Sequence, residues 1–393
     1  MALSLRQLLR TVAVLVLSVV AAGCGTTTVK STTFTPLEQE TTEIPEHLLL
    51  DLGVLNFDPG LDKVKDENMQ RPEVRNAEAR FFATQLTATL QQSGAWGPVR
   101  VIPGTETVVD LYVQGTILHS DGERLELHIE AWDSAGRSWL DKKYEEIASV
   151  YAYDSRRTQT RDPFQGMFNR IANDLRKVRS AQPAERLQTL RTVSELRFAE
   201  QFAPQTYAGY LTKNRRGEVE VVRLPAQNDP ILQRIDRIRE RDYLFVDTLQ
   251  EYYEGFALRM ENPYRQWRGE SYREVLAVRE LKKKSTAQLI GGAAAVVGGI
   301  VAAGIGDGSA QVGGIVAAGA GGMLIKDALA KRQEAQMHME ALAELGDSLE
   351  ADIEPHVIDL EDRTITLTGN AEAQYAQWKE LLKQIYDAER GDI

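Results

Sequence analysis

The sequence has few of the residues that build redox, metal and hydrolytic sites. It holds 1 cysteine and 5 histidines among 393 residues. Because Cys24 is the single cysteine, no disulfide can form within the chain. The histidines fall on separate predicted elements, and no spacing of His, Cys and carboxylate residues suits a metal site. They are His47, His119, His128, His338 and His356.

Motifs for nucleotide and acyl chemistry are also missing. No nucleophile elbow is present, and the glycine-rich part of the chain lacks the Gly-Lys-Ser/Thr of a phosphate loop. The net charge of -11 leaves no broad basic surface for nucleic acid. We predict a protein that is not an enzyme, needs no metal or cofactor and binds no nucleic acid. A hydrolase site built from the many carboxylates stays an open alternative, because carboxylates cannot be ranked without geometry.

What the sequence does contain begins with a targeting segment, Met1–Gly23. Two arginines precede a short apolar run, Thr11–Ala22. The run ends in VAAGC (residues 20–24), which resembles the bacterial lipobox. The resemblance implies that Cys24 becomes the first mature residue and carries a diacylglycerol and an acyl chain. No aspartate stands at Gly25, so the resemblance favours the periplasmic face of the outer membrane. The alternative is an ordinary signal peptide with an incidental cysteine.

The next two segments differ sharply in composition. Residues 24–46 are rich in Thr, Glu and Pro and predict a flexible, lipidated tether. Residues 47–180 predict an α/β layer domain with a mixed sheet. The apolar run His47–Phe57 is typical of a strand buried on both faces, and Pro72–Gln92 has the period of a helix. After a second strand, Val108–Ile147 alternates apolar and polar residues between glycine-bearing turns, which predicts an antiparallel meander.

Two segments of this domain resemble a module shared by several envelope proteins. They are LLLDLGVLNFDPG (residues 48–60) and the meander (residues 110–146), and the most similar positions are Asp110 with Gly115 and the turn Asp133–Gly136. Proteins with this module include TolB at its amino terminus, the curli secretion lipoprotein and the lipoprotein activators of penicillin-binding proteins. The resemblance implies a periplasmic binding or assembly module without catalysis, and it carries over no site residues.

Residues 181–285 predict a helical domain. A helix over Ala184–Gln201 is followed by a small hairpin, and then by a long helix from Asp229 to Met260. Proline disrupts a helix interior, so Asn262-Pro263 predicts its end, with a second helix over Tyr264–Lys284. The many aromatic residues here predict helix packing, and a carbohydrate-binding surface is the alternative.

Residues 286–332 predict a helical hairpin whose two arms, within Leu289–Ile325, are joined by the turn Gly304–Gly308. Small residues recur at every fourth position and so share one helix face, where two backbones can approach closely. The pattern resembles the glycine-zipper segments of other bacterial surface lipoproteins. The small residues are Gly291, Ala295, Gly299, Ala303, Gly314, Ala318 and Gly322.

Basic residues stand at both feet of this hairpin, where lipid phosphates would lie if its tip entered a membrane. Each arm has about 15 residues, or about 22 Å of helix, which is short of the about 30 Å hydrocarbon core. We therefore predict close packing in a membrane-bound oligomer or partial insertion. A buried hairpin in a soluble assembly and a flexible loop are the alternatives. The basic residues are Lys282, Lys283, Lys284, Lys326, Lys331 and Arg332.

Residues 333–393 predict a charged helix, a strand hairpin and the amphipathic helix Ala371–Ala388. The segment DRTITLTGNAEAQYAQWKELL (residues 362–382) resembles half of a BON domain, which implies a periplasmic module linked to membrane binding. Trp378 lies on the apolar face and is predicted to be a core residue rather than a ligand contact.

Together these features predict an α+β protein of the cell envelope. We expect an outer-membrane lipoprotein that acts as an assembly or scaffold component of an envelope complex, for secretion, a surface structure or transport. Its expected partners are membrane lipid, envelope proteins and further copies of itself. The alternative is a lipoprotein regulator of a cell-wall synthase, which the short tether disfavours because the regulator has to reach towards the inner membrane.

Overall fold

The computed structural model describes residues 27–31, 34–63, 72–149, 151–153, 161–290, 355–359 and 364–391, together with 337, 340–341 and 343–344. Within them the chain is a mixed α+β protein, as predicted. The main sheet consists of β1 (Thr27–Ser31), β2 (Leu52–Leu55), β3 (Val99–Ile102), β4 (Leu111–Ser120), β5 (Arg124–Asp133) and β6 (Ser138–Ile147). Two hairpins are formed by β7 (Leu211–Lys213) with β8 (Val219–Val221), and by β9 (His356–Asp359) with β10 (Thr364–Leu367).

The helices with defined bounds include the two predicted over Pro72–Gln92 and Ala184–Gln201. The helices are α1 (Pro72–Gln92), α2 (Gln165–Ser180), α3 (Ala184–Phe202), the short α4 (Pro204–Tyr207), α5 (Pro230–Ile290) and α6 (Ala371–Gly391). Glu46–Leu48 and Leu61–Lys63 are single 3-10 turns.

The main sheet has the strand order β1-β6-β5-β4-β2-β3. Strands β4, β5 and β6 are antiparallel neighbours, which confirms the predicted meander. Along β5 the apolar residues are buried and the polar ones between them are partly exposed, so one face of the meander lies on the core. Strand β2 is parallel to both β3 and β4, and all of its residues are buried, as expected for a strand covered on both faces.

The positions that carry the resemblance to the envelope module have structural roles. A Cβ atom on Gly115 would lie 2.3 Å from the ring of Phe57, so glycine leaves room for that ring on β4. The Asp110 carboxylate accepts the backbone N–H of Asp51 at 2.9 Å. Asp133 accepts two backbone N–H groups of its own turn. These side chains fix turns and strand ends, and none of them faces a ligand cavity described below.

The predicted break at Asn262-Pro263 is wrong. Helix α5 runs for 61 residues through Pro263, and its length is about 92 Å at the usual rise per residue. A proline inside a helix costs about 3 kcal/mol because it lacks an N–H and crowds the preceding turn. Met260, Tyr264 and Trp267 are buried on either side of Pro263, and this packing holds the helix together across it.

The amino-terminal segment also differs from its prediction as a flexible tether. Residues 27–31 form β1, which pairs in parallel with β6 at the edge of the sheet. Residues 34–40 are bound along α2 through hydrogen bonds described below. The polar composition of the segment predicted disorder because it offers little apolar surface, but a sheet edge and the side chains of α2 supply partners for its backbone.

One hydrophobic core joins parts of all three predicted folded units. It includes Leu52 of the α/β layer domain, Phe256 of the helical middle and Leu382 of the carboxy-terminal element. Trp378 of α6 is buried and stacks on Phe245 of α5 with 5.1 Å between ring centroids, so it is a core residue as predicted. Most of the aromatic residues of α5 are likewise buried, which agrees with the predicted helix packing.

Candidate functional site

Almost all of the residues predicted to contact lipid or a second helix lie outside the described residues. These are Cys24, the small residues Gly291, Ala295, Gly299, Ala303, Gly314, Ala318 and Gly322, and the basic residues Lys326, Lys331 and Arg332. Lys282, Lys283 and Lys284 lie in the last turns of α5, where the helix backbone is described. The roles assigned to all of these residues stay predictions.

The structure does describe the two segments that lead to them. Strand β1 begins at Thr27, three residues after Cys24. Helix α5 is described as far as Ile290, immediately before Gly291. We call the main sheet and the helices packed on it the body. The positions at which these two segments leave the body determine where the predicted lipid anchor and the predicted glycine zipper can act.

The segment after β1 is fixed to α2 by two asparagines four residues apart. Asn169 donates to the backbone carbonyl of Thr35 at 2.8 Å, and Asn173 donates to that of Pro36 at 3.0 Å. Asn173 also accepts the backbone N–H of Glu38 at 2.9 Å. Because side chains at i and i+4 share one helix face, the two asparagine side chains form successive hydrogen bonds along the backbone of residues 35–38. The amino-terminal segment is therefore part of the body.

A buried carboxyl group lies beneath this segment. Glu146 of β6 is 4 % exposed and accepts a hydrogen bond from Arg170 of α2 at 3.1 Å. Gly166 permits the close contact, since a Cβ atom there would lie 2.8 Å from the Glu146 carboxylate and 3.2 Å from the backbone nitrogen of Thr35. Burial raises the pKa of Glu146 to about 7, although Arg170 and the backbone N–H of Met167 lower it, while nearby Asp162 raises it further.

This carboxyl group predicts a pH dependence of stability. The folded protein keeps the Glu146 proton up to about pH 7, whereas the unfolded chain releases it near its ordinary pKa of 4.5. The folded state binds more protons between these values, so its stability falls as the pH rises through that range. We expect wild type to lose about 2 kcal/mol more than Glu146→Gln between pH 5 and pH 7.5, measured by urea denaturation. Parallel stability curves for the two proteins would contradict this assignment.

Helix α5 runs along the sheet from one end to the other. Near the start of β4, Tyr243 donates to the backbone carbonyl of Val108 at 3.3 Å. Further along, the amide of Gln250 accepts the N–H of Val101 at 2.8 Å and donates to its carbonyl at 2.9 Å, so it occupies the open edge of β3. At the far end, Ser271 accepts the N–H of Gly122 in the β4–β5 turn at 3.2 Å. The last residues of α5 continue beyond that turn.

Strand β1 begins farther from the β4–β5 turn than it ends. Thr27 pairs with Lys142 in the middle of β6, and Ser31 pairs with Glu146. The last residue of β6, Ile147, pairs with Arg124 beside the β4–β5 turn. Because β1 and β6 are parallel, β1 runs from Thr27 towards that turn, and α5 also runs towards the turn and past it. The first residue of β1 and the last described residues of α5 therefore face opposite ends of the sheet.

These exits are well separated. Lys142 and Ile147 are five residues apart, or about 17 Å of strand. Helix α5 continues from Tyr272, next to the turn, to Ile290, which is about 27 Å of helix. The three residues from Cys24 to Thr27 span at most about 11 Å. They are too short to bring Cys24 back to the end of α5.

An ion pair between a buried arginine and a partly exposed aspartate holds the outer part of α5 to the body. The guanidinium group of Arg268 is 2.6 Å from the Asp162 carboxylate and lies 3.9 Å from the centre of the Tyr264 ring and 4.8 Å from that of Phe164. Burial alone would lower the pKa of Arg268, but Asp162 and Tyr264 raise it above its ordinary value. The arginine therefore stays charged, and Asp162 supplies the counter-charge at this contact between α5 and the body.

A second buried group, the Glu78 carboxylate of α1, completes this docking region. It accepts hydrogen bonds from Ser120 of β4 and Tyr264 of α5, each at 2.5 Å. Burial raises the pKa of Tyr264, and the neighbouring Glu78 adds to the effect although Arg268 lowers it. Glu78 and Tyr264 are at most 1 % exposed, so they join three elements and do not reach a substrate.

Two absences apply to the described part of the chain alone. Across those residues, no group of three or more His, Cys, Asp or Glu side chains is placed to hold a metal ion. Among the helices described, none is both long and apolar enough to cross a membrane.

Comparisons with protein-family models, with curated proteins and with solved structures found no match for this chain. The resemblances to the envelope module, the glycine zipper and the BON domain therefore depend on the residues quoted above.

The sequence did not point to the residues that dock α5. Ser120-Asp121-Gly122 is recognisable as a turn, but its contact with α5 joins positions 149 residues apart. Arg268 and Asp162 look like ordinary surface charges in a charged stretch. The one available signal is Arg268 itself, which follows Tyr264 at i+4 within an aromatic cluster where a cation can stack.

Proposed function

We propose that this protein is a non-enzymatic lipoprotein of the outer membrane that acts as a scaffold in an envelope assembly. The observation that supports this most is α5, which runs without a break from the folded body as far as Ile290, the residue before Gly291. A rigid helix of this length can present that segment at a defined distance from the body. In this proposal the lipid on Cys24 anchors the body, and α5 carries a packing segment away from it.

The bound amino-terminal segment favours the scaffold over the regulator of a cell-wall synthase. A regulator in the outer membrane needs a long, free tether to reach an enzyme near the inner membrane. Here Cys24, Gly25 and Thr26 alone separate the proposed lipid from β1. The body would therefore lie within about 11 Å of the membrane surface.

The opposite exits favour packing between copies over insertion beside the anchor. If Cys24 lies in the membrane, the end of α5 points away from the same surface. The glycine-zipper segment, with Gly291, Gly299 and Gly314 among its small residues, would then meet the same segment of another copy or a second envelope protein. We propose a homo-oligomer as the basic unit of the assembly.

Two variants separate anchoring from assembly. Deleting Gly291–Gly322 should leave a folded protein that no longer oligomerises in mild detergent, as measured by size-exclusion chromatography with light scattering. Cys24→Ala should abolish membrane attachment while the oligomer persists. Unchanged assembly in the deletion variant would contradict the packing role. A penicillin-binding protein recovered as the dominant partner of the native protein would instead support the regulator.

A further inference from the structure

A cavity of about 380 Å³ lies between α1 and α5. Its floor is formed by Phe81 and Tyr264, which meet edge to face with 5.2 Å between ring centroids. The small side chains of Ala88 on α1 and Ala257 on α5 leave the space open between the two helices. The volume is in the range of protein sites for small organic groups and accommodates one large side chain. We call this cavity the α1–α5 pocket.

The rim of the α1–α5 pocket is apolar on one side and negative on the other. Leu258 lines it and is 71 % exposed, which is unusual for a leucine beside an aromatic-floored cavity. Glu254 lies one helical turn before Leu258, and Glu261 lies one turn after it. A group that enters the pocket therefore passes both an apolar side chain and carboxylates.

The charges at the rim do not balance. Arg268 is bound to Asp162 at 2.6 Å, and Arg265 to Glu261 at 2.8 Å. Glu254 also lines the pocket, is exposed and has no ion-pair partner among the residues that the structure describes. Among the described lining residues, Asp162, Glu254 and Glu261 carry negative charge and Arg265 and Arg268 carry positive charge, so this set has one excess negative charge, which would repel an anionic ligand and attract a cation.

We propose that the α1–α5 pocket binds a partner polypeptide that inserts an aromatic or large aliphatic side chain, with an adjacent lysine or arginine placed against Glu254. The aromatic floor and Leu258 supply apolar contact, and the carboxylate selects the basic neighbour. This site requires neither the lipid on Cys24 nor the glycine zipper, so it goes beyond the scaffold function and stands or falls separately. An apolar side chain in a pocket beside a charge pair is a common form of protein recognition anchor.

Short peptides test the proposal directly on the full-length protein in mild detergent. The probes are the blocked peptides Gly-Trp-Lys-Gly, Gly-Trp-Glu-Gly and Gly-Ala-Lys-Gly. Binding is followed by NMR of methyl-labelled alanine and leucine, in which Ala88, Ala257 and Leu258 report on the pocket. We expect the Trp-Lys peptide to shift these three methyl signals and to bind about twofold to fivefold more tightly than the Trp-Glu peptide. The Ala-Lys peptide should not shift them.

Three variants identify the groups responsible. Ala88→Trp places an indole from an exposed position of α1 into the cavity and should abolish binding of both tryptophan peptides. Glu254→Gln should remove the preference for the Trp-Lys peptide, whereas Glu251→Gln, an exposed acid one turn away that does not line the pocket, should retain it. The proposal is overturned if the methyl signals do not shift. It is also overturned if both tryptophan peptides bind equally to wild type, since that result indicates a purely apolar ligand.

Discussion

The Gly122→Ala variant is expected to lower the free energy of unfolding by about 3 kcal/mol, which is a large effect for one methyl group. A Cβ atom on Gly122 would lie 1.9 Å from the backbone carbonyl oxygen of Arg268 and 2.4 Å from the backbone nitrogen of Tyr272. Both are helix backbone atoms and cannot turn aside as a side chain can. The β4–β5 turn and α5 would have to separate.

The separation would disrupt contacts that hold the outer part of α5. Gly122 donates its N–H to Ser271 at 3.2 Å and accepts a hydrogen bond from the Tyr153 hydroxyl at 2.6 Å. Hydrogen–deuterium exchange should therefore accelerate over residues 265–279, beyond the change expected from lower global stability. The same part of α5 leads to the glycine-rich segment, so its looser docking should also broaden the size distribution of the oligomer.

Gly255→Ala supplies a matched control within the same helix. The nearest atom to a Cβ on Gly255 is the Nη1 of Arg259 at 3.7 Å, which is an ordinary contact. Alanine is favoured over glycine in a helix by about 1 kcal/mol, so this variant should be slightly more stable than wild type. If the free energy of unfolding of Gly122→Ala equals that of Gly255→Ala in urea denaturation, α5 and the β4–β5 turn are not in close contact in solution.

Much of the body could be predicted from local patterns. The alternation along β5 and the helical period of α1 reflect the core that they face, and the structure confirms both. The fold class follows from the order of these elements. What the patterns could not supply is the contact between elements distant in sequence, and that is where the predictions fail.

Two failures show this most clearly. Pro263 predicts a helix end by its local chemistry, yet burial of Tyr264 and Trp267 against the body outweighs that cost. Residues 27–31 predict a tether by composition, yet they find a partner in β6, more than 100 residues away. The same limit applies to the candidate site. Cys24 and the zipper glycines are visible as motifs, whereas the separation of their exits depends on register and helix direction.

Asp162→Asn should destabilise the protein by about 3 kcal/mol, although the substitution preserves the shape of the side chain. One oxygen of the Asp162 carboxylate lies 2.6 Å from Arg268, whose side chain is 1 % exposed, and the other accepts the N–H of Phe164 at 2.8 Å. Asparagine keeps an acceptor oxygen at one of these two positions and places an NH2 donor at the other, and it also leaves the buried guanidinium charge without its main counter-charge. Urea denaturation measures the loss.

Replacing the arginine of this pair should be tolerated better than replacing the aspartate. The double variant should recover part of the stability that is lost in Asp162→Asn. In Arg268→Met the remaining Asp162 side chain is 22 % exposed and can turn to water, while methionine packs among Tyr264, Phe82 and Phe164. We therefore expect Arg268→Met to cost about 1 kcal/mol, and Asp162→Asn combined with Arg268→Met to cost less than Asp162→Asn alone. Additive losses in this cycle would contradict a buried ion pair. Partial recovery would show that the buried charge of Arg268 has to be neutralised by Asp162 when α5 packs against the body. Apolar contact alone would then not account for the docking of this part of the helix.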